Sequence, residues 1–189
     1  MPNSSEILLL TSNPYKLAEA QTILKRYNLN VVSSPQKGTE IQSDSLSEVA
    51  RICAENAYKK IKKPLFVEDS GLFVDGLGGF PGVYSSFALK KIGCKGILCL
   101  LDQERQRSAR FECAVAYVDE TGTHEFLGAV KGKISTQIFG GKGFGYDPIF
   151  IPEGHTQAFS QIFDVKQKIS HRVRALEQFG KFLSEKNKK

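Results

Sequence analysis

Two adjacent acids, Glu68 and Asp69, follow the short apolar run at residues 65–67 and lead into Ser70-Gly71. Carboxylates at the carboxyl end of a buried strand lie where open α/β sheets place their ligands, and their hard oxygens suit Mg2+. Successive strand side chains point to opposite faces, so the two acids do different work unless the strand ends between them. The plain alternative for this stretch is a strand followed by a tight turn, with both acids in water. Elsewhere the chain carries another acid, Glu40, and the cations Lys16, Lys166 and Arg172. It also has two glycine-rich loops bearing aromatics, at residues 76–82 and 140–148. A nucleoside triphosphate calls for such parts: lysines, backbone N–H groups and Mg2+ for the phosphates, and an aromatic face for the base, with Phe144 and Tyr146 as candidates. The histidines lie far in sequence from any candidate nucleophile and its orienting acid, so a metal-bound or carboxylate-activated water is the expected attacker.

The elements that must position these residues follow from apolar spacing. Residues 7–10 read as a first strand, and Asn13 and Pro14 then cap and open a helix whose apolar stripe is Leu17, Ala20, Ile23, Leu24 and Tyr27. A strand, a polar turn and a helix start make a seat for phosphate, to which Lys16 adds charge or from which it turns to solvent. Residues 29–32 suggest a second strand. Ser45 and Glu48 form a capping box before a helix through Ile61, which ends in lysines and Pro64. The acid strand and its glycine loop come next, and two short helices at residues 84–90 and 95–101 are expected on either side of Gly93. Residues 109–118 and 123–131 form a hairpin around residues 119–122, and residues 134–139 extend the pairing. The second glycine loop feeds residues 149–151. Neither loop is a P-loop or a dinucleotide fingerprint: glycine follows Lys142 where Ser or Thr would hold magnesium. The last helix begins near Ser170 and buries Val173, Leu176, Phe179 and Leu183. Its first turn carries His171 and Arg172, against the helix dipole, and a misplaced cation invites a functional explanation.

The 189 residues fit one domain, 1–189, with a full core. The net charge is +6, but residues 181–189 hold four lysines against one glutamate, so half the excess sits in the tail. The remaining mild basic bias suits a phosphorylated small molecule better than nucleic acid. The N-terminal apolar run is four residues long and beside Glu6, so no signal peptide is expected, and no stretch reaches the length of a membrane span. Cys53, Cys94, Cys99 and Cys113 form no C-x-x-C pair and have no nearby histidine, so reduced, mostly buried thiols in a cytoplasmic protein are expected.

Six motifs, in order, carry a resemblance that covers nearly the whole chain: Thr11-Ser12-Asn13-Pro14-Tyr15-Lys16, Glu40-Ile41-Gln42, Glu68-Asp69-Ser70-Gly71-Leu72, Gly78-Gly79-Phe80-Pro81-Gly82, Phe144-Gly145-Tyr146-Asp147-Pro148 and Ile169-Ser170-His171-Arg172. With these the sequence resembles the inosine/xanthosine triphosphate pyrophosphatase family, which hydrolyses non-standard purine nucleoside triphosphates to the monophosphate and pyrophosphate. The resemblance implies an α/β fold, a long curved mixed β-sheet flanked by helices with two lobes around a nucleotide-binding cleft, and a homodimer. It implies that Thr11, Ser12, Asn13, Pro14, Tyr15 and Lys16 bind triphosphate and that Glu40 and Asp69 hold Mg2+, with Glu68 in support. By the same resemblance Asp69 would also take a proton from the attacking water. Ser70 and Lys166 would contact substrate, Phe144, Gly145, Tyr146 and Asp147 the nucleoside, and His171 and Arg172 the base. A 6-oxo purine presents an acceptor to those donors, whereas adenine's amino group leaves them unpaired. Some members have Asp where this chain has Glu68. Lys168 adds a cation that faces solvent or touches phosphate, and Lys60 matches only loosely a basic residue of the family's second helix. A related pyrophosphatase acting on modified pyrimidines, a lysine-rich nucleic-acid binder and a catalytically dead nucleotide sensor are the competing readings.

Overall fold

A computed structural model describes residues 5–34 and 41–186. The elements in order are β1 (Ser5–Leu10), α1 (Pro14–Leu24), β2 (Leu29–Ser34), α2 (Leu46–Ile61), β3 (Leu65–Val74), β4 (Pro81–Gly82), α3 (Ser85–Leu100), β5 (Ser108–Asp119), β6 (Gly122–Ile134), β7 (Phe150–Pro152), α4 (Phe163–Ile169) and α5 (His171–Lys186). The seven strands form one open sheet in the order β2-β1-β3-β5-β6-β7, with β4 paired to β3. It is mixed: β1 runs parallel to β2 and β3, while β4 on β3 and β7 on β6 are antiparallel. This is the expected α/β class.

The described chain divides into two compact units. The first takes its residues from Met1–Asp69, Cys113–Gly128 and Arg172–Lys189, the second from Ser70–Glu112 and Ala129–His171. The first unit's core joins Ile7 and Leu9 of β1, Phe66 of β3, Val115 and Tyr117 of β5, and Leu176, Phe179 and Leu183 of α5. Phe66 and Phe179 meet with ring centroids 5.0 Å apart. The second unit's core joins Leu72 and Val74 of β3, Ile97 and Leu101, Phe111 of β5, and Tyr146, Ile149, Phe150 and Phe159.

Local signals explain most boundaries. Ser45 Oγ accepts from Glu48 N at 3.3 Å and caps α2, but Glu48's carboxylate takes the Ser43 hydroxyl at 2.5 Å, so only half of the capping box forms. Lys62 closes α2 in the left-handed region at φ 55°. Gly93 (φ 62°, ψ −169°) breaks the helical geometry of α3 where two helices were expected. Three outcomes differ from the sequence reading. β3 does not stop at Val67 but runs on through both acids to Val74. β6 ends at Ile134 rather than extending to Phe139, although Ser135 N and Phe139 N still donate to Ile149 O and Pro148 O. A further short helix, α4, occupies residues that carry no strong helical spacing. All four cysteines are outside disulfides, and Cys53 and Cys113 are buried, but Cys94 is only half-buried and Cys99 is exposed.

Candidate active site

In the first unit the turn after β1 folds onto its own side chains. Asn13 N donates to Thr11 Oγ1 at 3.1 Å, and Asn13 Oδ1 accepts from Tyr15 N at 2.9 Å and Lys16 N at 3.4 Å. The cap thus satisfies two of the four orphan donors at the start of α1. Lys16 is no solvated surface lysine. Its Nζ donates to the Glu68 carbonyl at 3.0 Å and lies 3.6 Å from Glu68 Oε1, which draws α1 and β3 to one spot.

Glu68 is the centre of a charge cluster. Its side chain is 1 % exposed, and Oε2 accepts from Arg172 Nε at 2.8 Å. Arg172 Nη1 donates in turn to Glu19 Oε2 at 2.5 Å. Two cations and two carboxylates therefore balance, which is the condition for keeping such charges out of water. Burial works against the Arg172 charge, and the Glu68 and Glu19 carboxylates outweigh it, holding the guanidinium above its ordinary pKa. Burial, reinforced by the Glu68 charge, pushes the Cys113 thiol well above its ordinary value. Asp69, the next residue along β3, is half-buried. Because side chains alternate along a strand, the continuity of β3 separates the roles of the two acids.

In the second unit the loop at residues 140–148 wraps around a buried ion pair. Lys166 Nζ donates to Asp147 Oδ2 at 2.7 Å, with both side chains at most 3 % exposed. The same carboxylate oxygen accepts from Phe144 N at 2.8 Å, and the ammonium lies 4.4 Å from the centroid of the Phe144 ring. One carboxylate and one cation thus set the backbone and ring of Phe144. Gly143 makes the wrap feasible: its φ is +115°, and a Cβ there would meet Asp147 Oδ2 at 2.4 Å. Tyr146 is buried, its hydroxyl donating to Ser85 O at 3.1 Å. Cys94 Sγ lies 3.5 Å from Gly145 O as donor. His171 stacks on Phe111, with centroids 4.7 Å apart and planes 15° apart. Ser70 is half-buried on β3.

The expected residues therefore fall into two groups that the fold assembles locally: Lys16, Glu68 and Arg172 in one unit, and Phe144, Asp147 and Lys166 in the other. Glu40 lies outside the described residues. Magnesium can be held by one or two carboxylates when phosphate oxygens and water complete its shell. Among the described residues no group of three or more His, Cys, Asp or Glu side chains forms a ready cage. Glu68, already balanced by two cations, makes a weak direct ligand, whereas a half-buried Asp69 carboxylate fits such a sparse shell. Sequence reasoning missed Glu19, Cys113, Ser85 and Cys94. Glu19 sits one helical turn beyond Lys16, a spacing that places both on one face of α1 and was the available signal. Nothing in the sequence singles out the other three.

The chain matches the model of the Ham1 family over residues 7–182. It is 45% identical over 184 residues to the dITP/XTP pyrophosphatase of Ignicoccus hospitalis, covering 96% of this chain and 98% of that one. It is 44% identical over 179 residues to the dITP/XTP pyrophosphatase of Saccharolobus solfataricus, covering 94% and 93%. Its structure resembles that of a HAM1 protein from Coxiella burnetii with a TM-score of 0.84 at 31% identity, covering 96% of this chain and 99% of that one.

Proposed function

The chain belongs to the Ham1 family, and on that premise we propose that it is a nucleoside triphosphate pyrophosphatase that removes dITP, XTP and ITP from the nucleotide pool. One observation carries the reading: a match at 44–45% identity, spanning over nine-tenths of both chains, to relatives named for this activity. Water attacks and the bond between the α and β phosphates breaks, so the products are the nucleoside monophosphate and pyrophosphate. Asp69 accepts the proton of that water. Thr11, Ser12, Asn13, Pro14, Tyr15 and Lys16 bind the triphosphate, whose oxygens compete for donors that Asn13 and Glu68 now hold. Asp69 and Glu40 would hold Mg2+, which would supply charge neutralisation at the phosphate oxygens. Glu68 balances Lys16 and Arg172.

Ser70 touches substrate. Among residues 144–147, the half-buried Phe144 is the stacking surface, while the 3 % exposed Tyr146 and the Asp147–Lys166 pair support the loop from beneath. His171 and Arg172 select a 6-oxo base, since an amino group in that place leaves a buried donor unpaired. The enzyme works as a cytoplasmic homodimer with no nucleic-acid or membrane partner. No helix among the described residues is long and apolar enough to cross a membrane.

The test is pyrophosphate release with Mg2+ on dITP, XTP, ITP, dATP and dGTP side by side. The first three are expected to turn over at least tenfold faster, with the monophosphate as co-product. Equal rates on all five remove the selectivity argument, and no turnover on any removes the reading.

A further inference from the structure

Ser85, the first residue of α3, is buried and makes three hydrogen bonds in three directions. Its hydroxyl accepts from Leu72 N of β3 at 2.7 Å and donates to Gly82 O at 2.7 Å. Its carbonyl accepts the Tyr146 hydroxyl at 3.1 Å. Leu72 and Gly82 are paired in the β3–β4 ladder, so one hydroxyl ties together both strands of that ladder. The junction has no slack: a Cβ on Gly71 would meet Gly82 O at 2.4 Å. On the other side, the Tyr146 ring is 3 % exposed and packs in the second unit's core, so its hydroxyl has a fixed aim. Further along α3, past the Gly93 break, Cys94 Sγ holds Gly145 O at 3.5 Å. The loop expected to carry the nucleoside is thereby fastened to α3 at two successive residues. The strand that presents Ser70 is fastened to the same helix through Leu72.

We propose that Ser85 is a positioning residue that registers the β3 segment at residues 70–72 and the loop at residues 144–147 against one another. The proposal rests on the pyrophosphatase reading for its kinetic consequence, while its physical content, the coupling of two segments through one residue, does not. A hydroxyl lost at Ser85 leaves Leu72 N–H and Gly82 O without this partner and frees the start of α3 to shift. The Ser85 carbonyl then no longer meets Tyr146 at a fixed point, so the two contacts depend on each other.

The experiment uses the full chain and four proteins: the parent, Ser85→Ala, Tyr146→Phe and the double variant. With dITP and Mg2+, Ser85→Ala is expected to lower kcat about tenfold, and Tyr146→Phe to raise KM about fivefold with kcat within about twofold of the parent. The double variant's kcat/KM should exceed the product of the two single effects, because part of the tyrosine contact is already lost once Ser85 loses its hydroxyl. Ser85→Cys, which keeps a weak donor and acceptor of similar size, should recover part of the lost kcat. It also replaces Ser85→Ala in the cycle if that protein does not fold. Hydrogen exchange reads the coupling without turnover: loss of the Ser85 hydroxyl should speed exchange in peptides covering both residues 70–74 and residues 144–148. Singles that leave both kinetic constants within twofold, effects that simply multiply, or faster exchange confined to α3 would each overturn the proposal. A parent inactive on every triphosphate would count against the pyrophosphatase reading, and the exchange pattern would still decide the coupling.

Discussion

Arg172 stands in the first turn of α5, where the helix dipole disfavours a cation. Glu68 and Glu19 offset that cost and the cost of burial, each with a direct hydrogen bond. Breaking a buried pair by removing one partner costs about 3–5 kcal/mol, because the other charge stays behind. Arg172→Ala should therefore lower unfolding stability by about that much, and at a temperature where the variant remains folded it should also reduce the preference for dITP over dATP. Denaturant titration and paired rate measurements check the two halves. An unchanged dITP-to-dATP ratio would remove Arg172 as a base reader while leaving its structural role intact. Asp69 is the contrasting acid, next along the strand and only half-buried. Asp69→Asn keeps the shape and removes the base, so kcat on dITP should fall by roughly 10²–10⁴ while KM changes much less. Retained turnover would overturn the assignment of the proton acceptor.

At the scale of elements, the β5–β6 hairpin is fastened to the end of α5. Asp119 Oδ2 accepts from the Tyr117 hydroxyl at 2.8 Å, and Asp119 Oδ1 accepts from Thr121 N at 2.9 Å and Thr121 Oγ1 at 2.6 Å. Lys186 Nζ bonds Asp119 and also reaches Thr121 Oγ1 at 2.8 Å. Burial alone would raise the Asp119 pKa, but the bonds from Lys186, Thr121 and Tyr117 outweigh it and hold the carboxyl below its ordinary value of 3.8. A carboxyl depressed in the folded state contributes stability that is present in full above the ordinary value and is lost as pH falls through the folded one. Asp119→Asn should thus cost about 1.5–3 kcal/mol at neutral pH, the range for hydrogen bonds to a charged group. The gap between parent and variant should narrow once the pH drops below 3.8, as thermal melts across the acid range can show. A gap that stays constant into acid would mean the carboxylate's charge contributes nothing.

For the whole molecule, the unusual feature is exposed aromatic surface. Phe80, Tyr84 and Phe87 are 41, 45 and 63 % exposed and lie close in sequence, across the glycine loop and the start of α3. Large apolar groups grouped on a surface mark places where another protein docks. If the proposed homodimer uses this surface, a second copy would cover them, and the chain should sediment at about twice its 20.9 kDa mass. Phe87→Glu should shift that mass toward the single chain, and a parent that sediments as one chain at micromolar concentration would exclude the dimer. The charge pattern agrees with a nucleotide substrate more than a polyanion, since half of the +6 excess lies in the last nine residues.

Much of this architecture is legible from local pattern because local pattern causes it. Asn13-Pro14 caps α1, Ser45 caps α2, Gly93 interrupts α3, and the alternation of residues 109–118 makes β5 half of a hairpin; each depends on neighbours a few residues away. The acids, cations and glycine loops of the candidate site were visible for the same reason, as residue types at fixed spacing. What the sequence by itself leaves open is who pairs with whom. Glu68 and Arg172 are 104 positions apart, Asp147 and Lys166 are 19, and Tyr146 and Ser85 are 61. No periodicity reports such distances. Tertiary packing assigns Glu68 to two cations instead of water, turns Lys16 inward, and makes Ser85 a junction, because a buried charge or hydroxyl must find its partner wherever the fold brings one within reach.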